Sequence, residues 1–263
     1  MNTRPIPTTG EQLPVIGLGT WQTFDVPGPA APRLAEVLRP FAGAGGKVID
    51  TSPMYGKAEE RVGEGREHVP GAFLATKVWT SGRDHGIEQM RRSMHLLRAE
   101  VVDLMQIHNL LDWRTHLRTL REWKEAGRFR YIGITHYQAS AFPKLEEILS
   151  HEELDFVQLP LSVELPDAET SLLPLCQSRR VAVLVNRPFE DGKMFETVNG
   201  RPLPPWAADI DCTSWGQIFL KYVLAHPAVT CAIPATGKLK HLQDNLAAGR
   251  GRLPDEKIRK QIV

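Results

Sequence analysis

Four polar residues suited to acid–base chemistry lie at or just after short apolar runs of the sequence. Asp50 is in KVIDT and Tyr55 follows it in DTSPMYG, while Lys77 is in AFLATKV and His108 ends VDLMQIH. Tyrosine is a weak acid with a reference pKa of about 10, and a nearby ammonium such as that of Lys77 lowers that pKa towards the working range. Asp50 would hold this ammonium as its counter-charge.

Together these residues predict protonation of a developing alkoxide. Tyr55 would deliver the proton while His108 hydrogen-bonds the substrate oxygen, in a tautomer that the sequence does not define. No side chain donates a hydride, so this reaction requires a nicotinamide cofactor. Taken singly, Asp50, Lys77 and His108 also have structural explanations, as a loop cap, a snorkelling lysine and a hydrogen-bonded histidine respectively. Their occurrence at successive strand ends favours the catalytic interpretation.

The elements that must position these residues alternate between two patterns. Short apolar or β-branched runs predict strands, and longer segments of helical period, such as 86–98 and 114–126, lie between them. The predicted strands are 15–19, 47–51, 72–78, 102–108, 130–135, 155–160, 181–186 and 229–233. Eight strands that alternate with helices predict an α/β fold of the (β/α)8 TIM-barrel type, in which strand ends converge on one mouth.

Other segments support one barrel domain over residues 1–263. Residues 4–14 contain Gly10 between apolar residues and predict a short N-terminal β-hairpin that closes the bottom of the barrel. The segment 187–211 is rich in Pro and Gly and follows the seventh strand, so we expect a partly ordered loop over the pocket. An open doubly wound sheet is the alternative, but GLGTWQTF lacks the third glycine of a dinucleotide fingerprint.

Composition narrows the function classes. The chain of 263 residues has 32 basic and 31 acidic residues and a formal charge of +1, which disfavours nucleic acid and anionic membranes as partners. The three cysteines, Cys176, Cys212 and Cys231, have no metal-ligand or disulfide-framework spacing. Without an apolar run of signal or membrane length, the sequence predicts a soluble cytoplasmic protein. An exported precursor trimmed of its signal is the alternative.

Several blocks, in order and across nearly the whole chain, carry a family resemblance. GLGTW, VIDTSPMYG, ATKVW, DLMQIHN and IPATGKLKHLQDN together resemble the aldo-keto reductase superfamily. The resemblance implies that Asp50, Tyr55, Lys77 and His108 are its catalytic tetrad. It also implies an NADP(H)-dependent oxidoreductase that reduces an aldehyde or ketone to an alcohol.

The resemblance further implies a set of cofactor contacts. The matching positions are Gly19, Thr20, Trp21, Asp50, Thr135, His136, Gln158, Asn186, Arg187, Pro188, Phe189, Ile233, Pro234, Ala235, Thr236, Lys238, His241, Asp244 and Asn245. Thr135, His136 and Gln158 would hold the carboxamide. Thr236, Lys238 and His241 would contact the 2′-phosphate at a helix N-terminus, and Asn245 would contact adenine.

This chain departs from the family pattern at four of these positions. His136 replaces the usual Asn, and Asn186 stands where an aromatic ring commonly stacks on the nicotinamide. Arg187 would stack or bind pyrophosphate instead, with a salt bridge to Glu190 or Asp191 as the alternative. Ala235 replaces a frequent Lys and His241 a frequent Arg, and the weaker basicity leaves NAD(H) as the alternative cofactor.

Aromatic and apolar residues just beyond strand ends predict a pocket for a small carbonyl compound. Its candidates are Trp21, Met54, Trp79 and Trp113, although each could also simply fill a loop cluster. The family's C-terminal specificity loop is expected to be missing, and Phe195 and Trp206 of segment 187–211 are the candidates to cover the pocket instead.

Two other functions fit parts of the sequence. One is a non-catalytic nicotinamide sensor or accessory subunit on the same fold, which the altered Asn186 position favours. The other is an aldolase in which Lys77 forms a Schiff base. The intact tetrad and the segment 233–245 favour the reductase. We expect a monomer or a weak homo-oligomer.

Overall fold

The predicted strands form the wall of one barrel. The computed structural model describes residues 1–28 and 33–262, and its main sheet has eight parallel strands in chain order. They are β3 (Leu18–Gly19), β4 (Val48–Asp50), β5 (Phe73–Val78), β6 (Val102–His108), β7 (Phe129–Thr135), β8 (Phe156–Pro160), β9 (Ala182–Asn186) and β10 (Val229–Ala232). This arrangement confirms the predicted α/β barrel fold.

The barrel closes between its first and last strands. Parallel bridges join Ile16 to Ala232 and Gly19 to Ala235, and the Gly17 amide donates to the Ala232 carbonyl at 2.8 Å. A Cβ atom on Gly19 would approach the Ile233 carbonyl oxygen to 2.7 Å. Glycine at position 19 is therefore required by the closing seam, where two backbones come close together.

Helices cover the outside of the barrel, as the helical-period segments predicted. They are α1 (Ala35–Gly43), α2 (Ala58–Gly65), α3 (Arg83–Leu96), α4 (Trp113–Glu125), α5 (Phe142–His151), α6 (Leu172–Ser178), α7 (Met194–Thr197), α8 (Trp215–Ala225), α9 (Leu239–Ala248) and α10 (Glu256–Ile262). In α4, for example, Leu117, Leu120 and Trp123 form a buried stripe against the strands.

Side chains inside the barrel change from apolar to polar along several of the strands. Because alternate residues of a strand face inward, Phe73 and Ala75 of β5 precede an inward Lys77, and Leu104 of β6 precedes Gln106. The lower layers are one apolar cluster: Ile6, Leu13, Val48, Phe73, Ala75, Leu104, Tyr131, Phe156, Ala182, Leu184, Cys231 and Ile233. The polar layer therefore lies at the carboxyl ends of the strands.

The N-terminal hairpin plugs the opposite end. Strands β1 (Thr3–Pro5) and β2 (Gln12–Pro14) pair antiparallel, and Gly10 in their turn has a φ of +78°. The buried side chains of Ile6 and Leu13 join the apolar interior of the barrel. The hairpin predicted over 4–14 is confirmed.

The two aromatic candidates of segment 187–211 pack in different places. Phe195 packs on Phe189 and on Phe219 of α8, with ring centroids 5.0 and 5.8 Å apart. Trp206 packs against a separate cluster that contains Ile210 and Ile218 and also contacts residues of α10. Trp206 thus has apolar packing partners within its own segment and on α8, and its role in covering the pocket stays a prediction.

Within residues 1–28 and 33–262, no helix is both long enough and apolar enough to cross a bilayer.

Candidate active site

The four residues singled out from the sequence come together at the carboxyl ends of neighbouring strands. Asp50 ends β4, Lys77 lies on β5 and His108 ends β6, while Tyr55 follows β4 in the loop before α2. The Lys77 ammonium lies 5.1 Å from the centroid of the Tyr55 ring, and the Tyr55 and His108 ring centroids are 5.8 Å apart, nearly perpendicular.

An ion pair at the centre of this group is buried. The Lys77 ammonium donates 2.7 Å hydrogen bonds to Asp50 Oδ2 and to the Thr51 carbonyl. Lys77 is 0% exposed and Asp50 is 3% exposed, so each charge depends on the other for its solvation. The predicted contact between Asp50 and Lys77 is present, and it fixes the ammonium beside the phenol.

A hydrogen bond to Asp25 holds the loop that carries Tyr55. The Asp25 carboxylate accepts a 3.0 Å hydrogen bond from the Lys57 amide, and a Cβ on Gly56 would come within 2.4 Å of that carboxylate. Gly56 also has a φ of +59°, so both the backbone conformation and the close approach favour glycine next to Tyr55.

Burial has a larger effect on Tyr55 than the sequence suggested. Burial raises the pKa of the Tyr55 phenol, the Lys77 ammonium lowers it and Asp50 raises it, and the net direction is upward. The expectation that Lys77 brings this pKa towards neutrality is therefore wrong for the ligand-free protein, because loss of water outweighs the ammonium. Tyr55 is protonated at neutral pH, as a proton donor must be.

Lys77 itself stays charged. Burial acts to lower its pKa, but Asp50 and Tyr55 outweigh burial and the net shift of the Lys77 pKa is upward. A permanent ammonium next to Tyr55 is thus a stable feature of the folded barrel.

His108 is held neutral. Burial, the Lys77 ammonium and His136 lower the pKa of His108 to about 2. Its Nδ1 lies 3.0 Å from Ser52 Oγ, and the Trp79 ring centroid lies 6.4 Å from that of His108. A neutral imidazole donates one hydrogen bond and accepts one.

A chain of amides extends the site to the neighbouring strands. Asp50 Oδ1 accepts hydrogen bonds from Gln158 Nε2 at 2.8 Å and from Gln106 Nε2 at 3.2 Å. Gln158 Oε1 accepts from Thr135 Oγ1 at 3.1 Å and from Asn186 Nδ2 at 3.4 Å. Thr135, Gln158 and Asn186, predicted as cofactor contacts, thus form one network with the ion pair.

On the loop after β7, His136 and Tyr137 stack in parallel with ring centroids 5.5 Å apart. His136 Nδ1 accepts a 3.1 Å hydrogen bond from the Gln138 amide, which leaves Nε2 as the nitrogen that carries the proton in the neutral ring.

Arg187 forms the alternative contacts considered from the sequence. Its guanidinium lies 3.2 Å from Glu190 and 3.0 Å from Asp191, and it donates to the Tyr137 carbonyl at 3.3 Å. The next two residues, Pro188 and Phe189, turn inward, and Phe189 packs against the core. Arg187 is therefore already paired with two carboxylates in this structure.

The segment after β10 leads into helix α9 across the barrel seam. Ile233 and Pro234 are buried and Ala235 is exposed, whereas Thr236 is 4% exposed. Thr236 Oγ1 accepts a 3.1 Å hydrogen bond from the Lys238 amide. The side chain of Lys238, the N-cap residue of α9, makes no capping hydrogen bond within the part of the chain that the structure describes, and Lys238 and His241 are exposed there.

Asp244 and Asn245, two predicted cofactor contacts further along α9, differ in whether other residues of the protein already bind them. Asp244 accepts 2.7 Å hydrogen bonds from Ser214 and from Gln217 at the start of α8. Both of its carboxylate oxygens are therefore occupied within the protein. Asn245 is 6% exposed on the buried side of the helix.

Unpaired polar atoms at the barrel mouth indicate whether a dinucleotide fits these residues. Among the described residues, Thr23 Oγ1, Asn186 Oδ1 and Arg187 Nε are buried without a hydrogen-bond partner. Thr20, by contrast, is satisfied, because its hydroxyl donates to the Asp50 carbonyl at 3.0 Å. Buried polar groups without partners cost about 1–3 kcal/mol each. Thr23 follows β3, Asn186 ends β9 and Arg187 comes directly after it. A polar ligand at the mouth would satisfy them, so the residues present fit the implied cofactor.

Apolar side chains form a rim around the tetrad. Trp21, Met54 and Trp79 are 42%, 39% and 41% exposed and follow β3, β4 and β5 respectively. Trp113 differs, because Arg114 and Lys144 lie over its ring at 4.4 and 5.9 Å. Its cationic neighbours give Trp113 packing partners within the protein, and the assignment of Trp21, Met54 and Trp79 to a substrate pocket stays a prediction.

Three site residues were not predicted from the sequence: Ser52, Gln106 and Tyr137. The inward-facing position of Gln106, two residues before His108, was a signal that could have identified it. Ser52 lies in the same short loop as Tyr55. Tyr137, which is 44% exposed, follows the predicted His136.

Comparison with known proteins decides the family. The sequence model of the aldo/keto reductase family matches residues 15–261. The chain belongs to the aldo/keto reductase family. This confirms the resemblance inferred from the sequence and makes the protein a member of a family of oxidoreductases.

Individual relatives are distant but cover most of the chain. Methylglyoxal reductase YeaE of Escherichia coli is 27% identical over 248 residues, which span 89% of this chain and 85% of the relative. The solved aldo-keto reductase Tm1743, in complex with the inhibitor epalrestat, is 28% identical with a TM-score of 0.83 over 100% of both chains. A Klebsiella pneumoniae aldo-keto reductase solved with NADPH is 23% identical with a TM-score of 0.82, over 99% and 94% of the two chains.

Proposed function

We propose that this aldo/keto reductase is an NADP(H)-dependent enzyme that reduces an aldehyde or ketone to an alcohol, with Tyr55 as the proton donor. The observation that carries the proposal is the buried Asp50–Lys77 ion pair, with its ammonium 5.1 Å from the Tyr55 ring. A fixed positive charge stabilises the phenolate that remains after proton transfer, and its preorganised position costs no rearrangement during the reaction.

Each residue of the tetrad has a separate task in this proposal. Tyr55 holds the proton because its pKa is raised, and it releases that proton to the substrate oxygen as negative charge develops there. Lys77 stabilises the resulting phenolate, and Asp50 keeps Lys77 charged and in place. His108, neutral because burial, Lys77 and His136 lower its pKa to about 2, orients the carbonyl oxygen by a hydrogen bond.

A bound nicotinamide cofactor supplies the hydride that no side chain can donate. The residues proposed to hold its nicotinamide end are Thr135, His136, Gln158 and Asn186. Gln158 donates to Asp50, Thr135 and Asn186 donate to Gln158, and Asn186 also donates to the His136 carbonyl. Asn186 Oδ1 is buried without a partner among the described residues, and a carboxamide amine can donate to it.

The preference for NADP(H) over NAD(H) is proposed on the N-terminus of α9. Lys238 and His241 are exposed there, and the uncapped helix end adds free amide donors for a 2′-phosphate. The solved Klebsiella pneumoniae neighbour contains NADPH, which agrees with this choice. Ala235 adds no positive charge at this site, so we expect only a moderate selectivity for NADP(H) over NAD(H).

The rim favours a small or aromatic carbonyl substrate. Trp21, Met54 and Trp79 are exposed apolar surfaces beside the tetrad, and apolar walls exclude water from the reacting carbonyl. The similar protein YeaE is a methylglyoxal reductase, so a short α-ketoaldehyde is a suitable second test substrate.

The aldolase alternative conflicts with the state of Lys77. A Schiff base requires a neutral, accessible amine. Lys77 is 0% exposed, and its ammonium donates hydrogen bonds to two oxygens. Its pKa is raised above the ordinary value, so the amine stays charged. The sensor alternative is favoured by one observation, the pairing of Arg187 with Glu190 and Asp191, which leaves this cation less free for a cofactor.

The decisive experiment follows loss of nicotinamide absorbance with a reactive aromatic aldehyde, separately with NADPH and with NADH. The test variant is Tyr55→Phe, and the matched control is Tyr222→Phe, whose hydroxyl donates to Glu169 at 3.2 Å on the outside of the barrel. We expect turnover with NADPH that falls about 10²–10⁴-fold in Tyr55→Phe and persists in Tyr222→Phe.

Two results would contradict the proposal. Full activity in Tyr55→Phe would exclude this residue as the proton donor. Binding of NADPH without turnover of an aromatic aldehyde or methylglyoxal would favour the sensor.

A further inference from the structure

Ser52 lies behind the imidazole of His108 and is fully buried, with 0% exposure. Its Oγ is 3.0 Å from His108 Nδ1 and accepts a 3.3 Å hydrogen bond from the Met54 amide. Among the residues that the structure describes, these are the two hydrogen-bond partners of the hydroxyl. His108 Nε2 has no hydrogen bond to any described residue.

Of the two partners of the Ser52 hydroxyl, only His108 Nδ1 can accept its proton. A serine hydroxyl has one proton to donate and two lone pairs that accept. The Met54 N–H can only donate, so it occupies one lone pair. If His108 Nδ1 also carried a proton, it would occupy the second lone pair. The hydroxyl proton would then be buried without an acceptor, which is unfavourable.

The opposite arrangement satisfies both the Ser52 hydroxyl and His108 Nδ1. When Ser52 donates to a bare Nδ1, the hydroxyl uses its proton and still accepts from Met54. The neutral imidazole then carries its own proton on Nε2. A doubly protonated ring is disfavoured as well, because burial and the Lys77 ammonium both lower the pKa of His108.

We propose that Ser52 is a positioning residue that fixes His108 as the Nε2–H tautomer, so that His108 donates a hydrogen bond to the carbonyl oxygen of the substrate. The inference rests on the proposed reductase function for its catalytic consequence. The tautomer itself is a property of the ligand-free protein and can be measured without turnover.

The catalytic consequence follows from the oxygen to be reduced. A carbonyl oxygen accepts hydrogen bonds, and its charge grows during reduction. With Nε2–H, both Tyr55 and His108 present donors to this oxygen. With the other tautomer, His108 would present a lone pair to it instead.

The direct test is ¹⁵N NMR of protein labelled at histidine, in which a ring nitrogen that carries a proton is distinguished from a bare one. His108→Gln identifies the signals of His108 by their disappearance. We expect a bare Nδ1 and a protonated Nε2 in the native protein, and loss of this single tautomer in Ser52→Ala. The control is Ser93→Ala, a buried serine that donates to Glu59 at 3.1 Å, in which the His108 signals should not change.

The kinetic test uses the same variants. Removal of one neutral hydrogen bond predicts a fall of roughly tenfold in kcat/KM for the aldehyde in Ser52→Ala. Cofactor affinity should not change, as measured by quenching of tryptophan fluorescence on titration with NADPH. Ser93→Ala should keep its kcat/KM.

The outcomes separate this inference from the proposed function. A proton on Nδ1 of native His108, or an unchanged tautomer and kcat/KM in Ser52→Ala, would overturn the inference. An Nε2–H tautomer that depends on Ser52 supports it, even if no carbonyl compound is turned over. In that case the reductase proposal fails and the structural assignment stands.

Discussion

Replacement of Asp50 by asparagine tests the central ion pair. Asp50→Asn keeps the shape of the side chain but removes its charge. The new amide has one accepting and one donating end. If its oxygen faces Lys77, its amine faces the amines of Gln106 and Gln158; if it is turned round, its amine faces the ammonium. Either orientation places donors against each other at a site that is 3% exposed.

The size of the effect follows from burial. Lys77 would remain charged with 0% exposure and without a counter-charge. Removal of one partner of a buried ion pair costs about 3–5 kcal/mol in the free energy of unfolding. At about 2–4 °C per kcal/mol for a protein of this size class, the melting temperature should fall by roughly 6–20 °C.

The matched control makes the same carboxylate-to-amide change in an exposed pair. Glu122 accepts a 2.9 Å hydrogen bond from Arg83, and the two side chains are 53% and 55% exposed. Glu122→Gln should cost less than about 1 kcal/mol. Urea denaturation followed by far-UV circular dichroism, with identical buffers for the two variants, measures both changes.

The dependence on pH gives a second test. In the native protein the pKa of Lys77 is raised on folding, so its contribution is present below the unfolded pKa of about 10.4 and is lost as pH rises through the folded value. In Asp50→Asn, burial should lower the folded pKa of Lys77 below the unfolded value. The variant should then gain stability as pH rises towards about 10.4, and the gap to the native protein should narrow.

A loss of stability no greater than that of Glu122→Gln, together with a gap that is constant with pH, would refute the reasoning about the buried pair.

Three further predictions concern single groups. Because burial, Lys77 and His136 lower the pKa of His108 to about 2, protonation of His108 should not reduce kcat/KM between about pH 5 and pH 8; an acid limb near 6.5 that disappears in His108→Gln would contradict this. Burial raises the pKa of Glu59 despite hydrogen bonds from Thr76 and Ser93, so native stability should fall as pH rises above about 4.3, and Glu59→Gln should lack that fall in urea denaturation at stepped pH. His241→Arg should lower the Kd for NADPH severalfold without changing that for NADH, because the added cation meets only the 2′-phosphate; equal changes in both titrations would place His241 away from that phosphate.

The positions of the tetrad were predictable because strand periodicity is simple. Asp50, Lys77 and His108 lie at strand ends, and the alternation of inward and outward side chains brings strand-end residues to one mouth. The eight strands and the hairpin were recognisable from local apolar runs and turn residues for the same reason.

Features that depend on competing tertiary contacts were not predictable. The pKa of Tyr55 depends on how far burial outweighs Lys77, and sequence gives no depth of burial. The ion pairs of Arg187 and the packing of Trp206 on the cluster around Ile210 and Ile218 depend on the path of a long irregular segment. Ser52 acquires its contact with His108 from a neighbouring loop and strand, and local patterns do not report such contacts.

The hydrogen bonds of the Asp50 carboxylate limit which substitutions the interior of this barrel can accept one at a time. Its two oxygens accept hydrogen bonds from side chains of β5, β6 and β8. A change at one donor therefore alters how much the other hydrogen bonds contribute to the free energy of unfolding. Replacements at Gln106 and Gln158 should therefore be non-additive, since loss of either amide makes the carboxylate more dependent on the one that remains. Substitutions at these interior positions are then expected to become fixed in combination, whereas rim residues such as Met54 can vary one at a time.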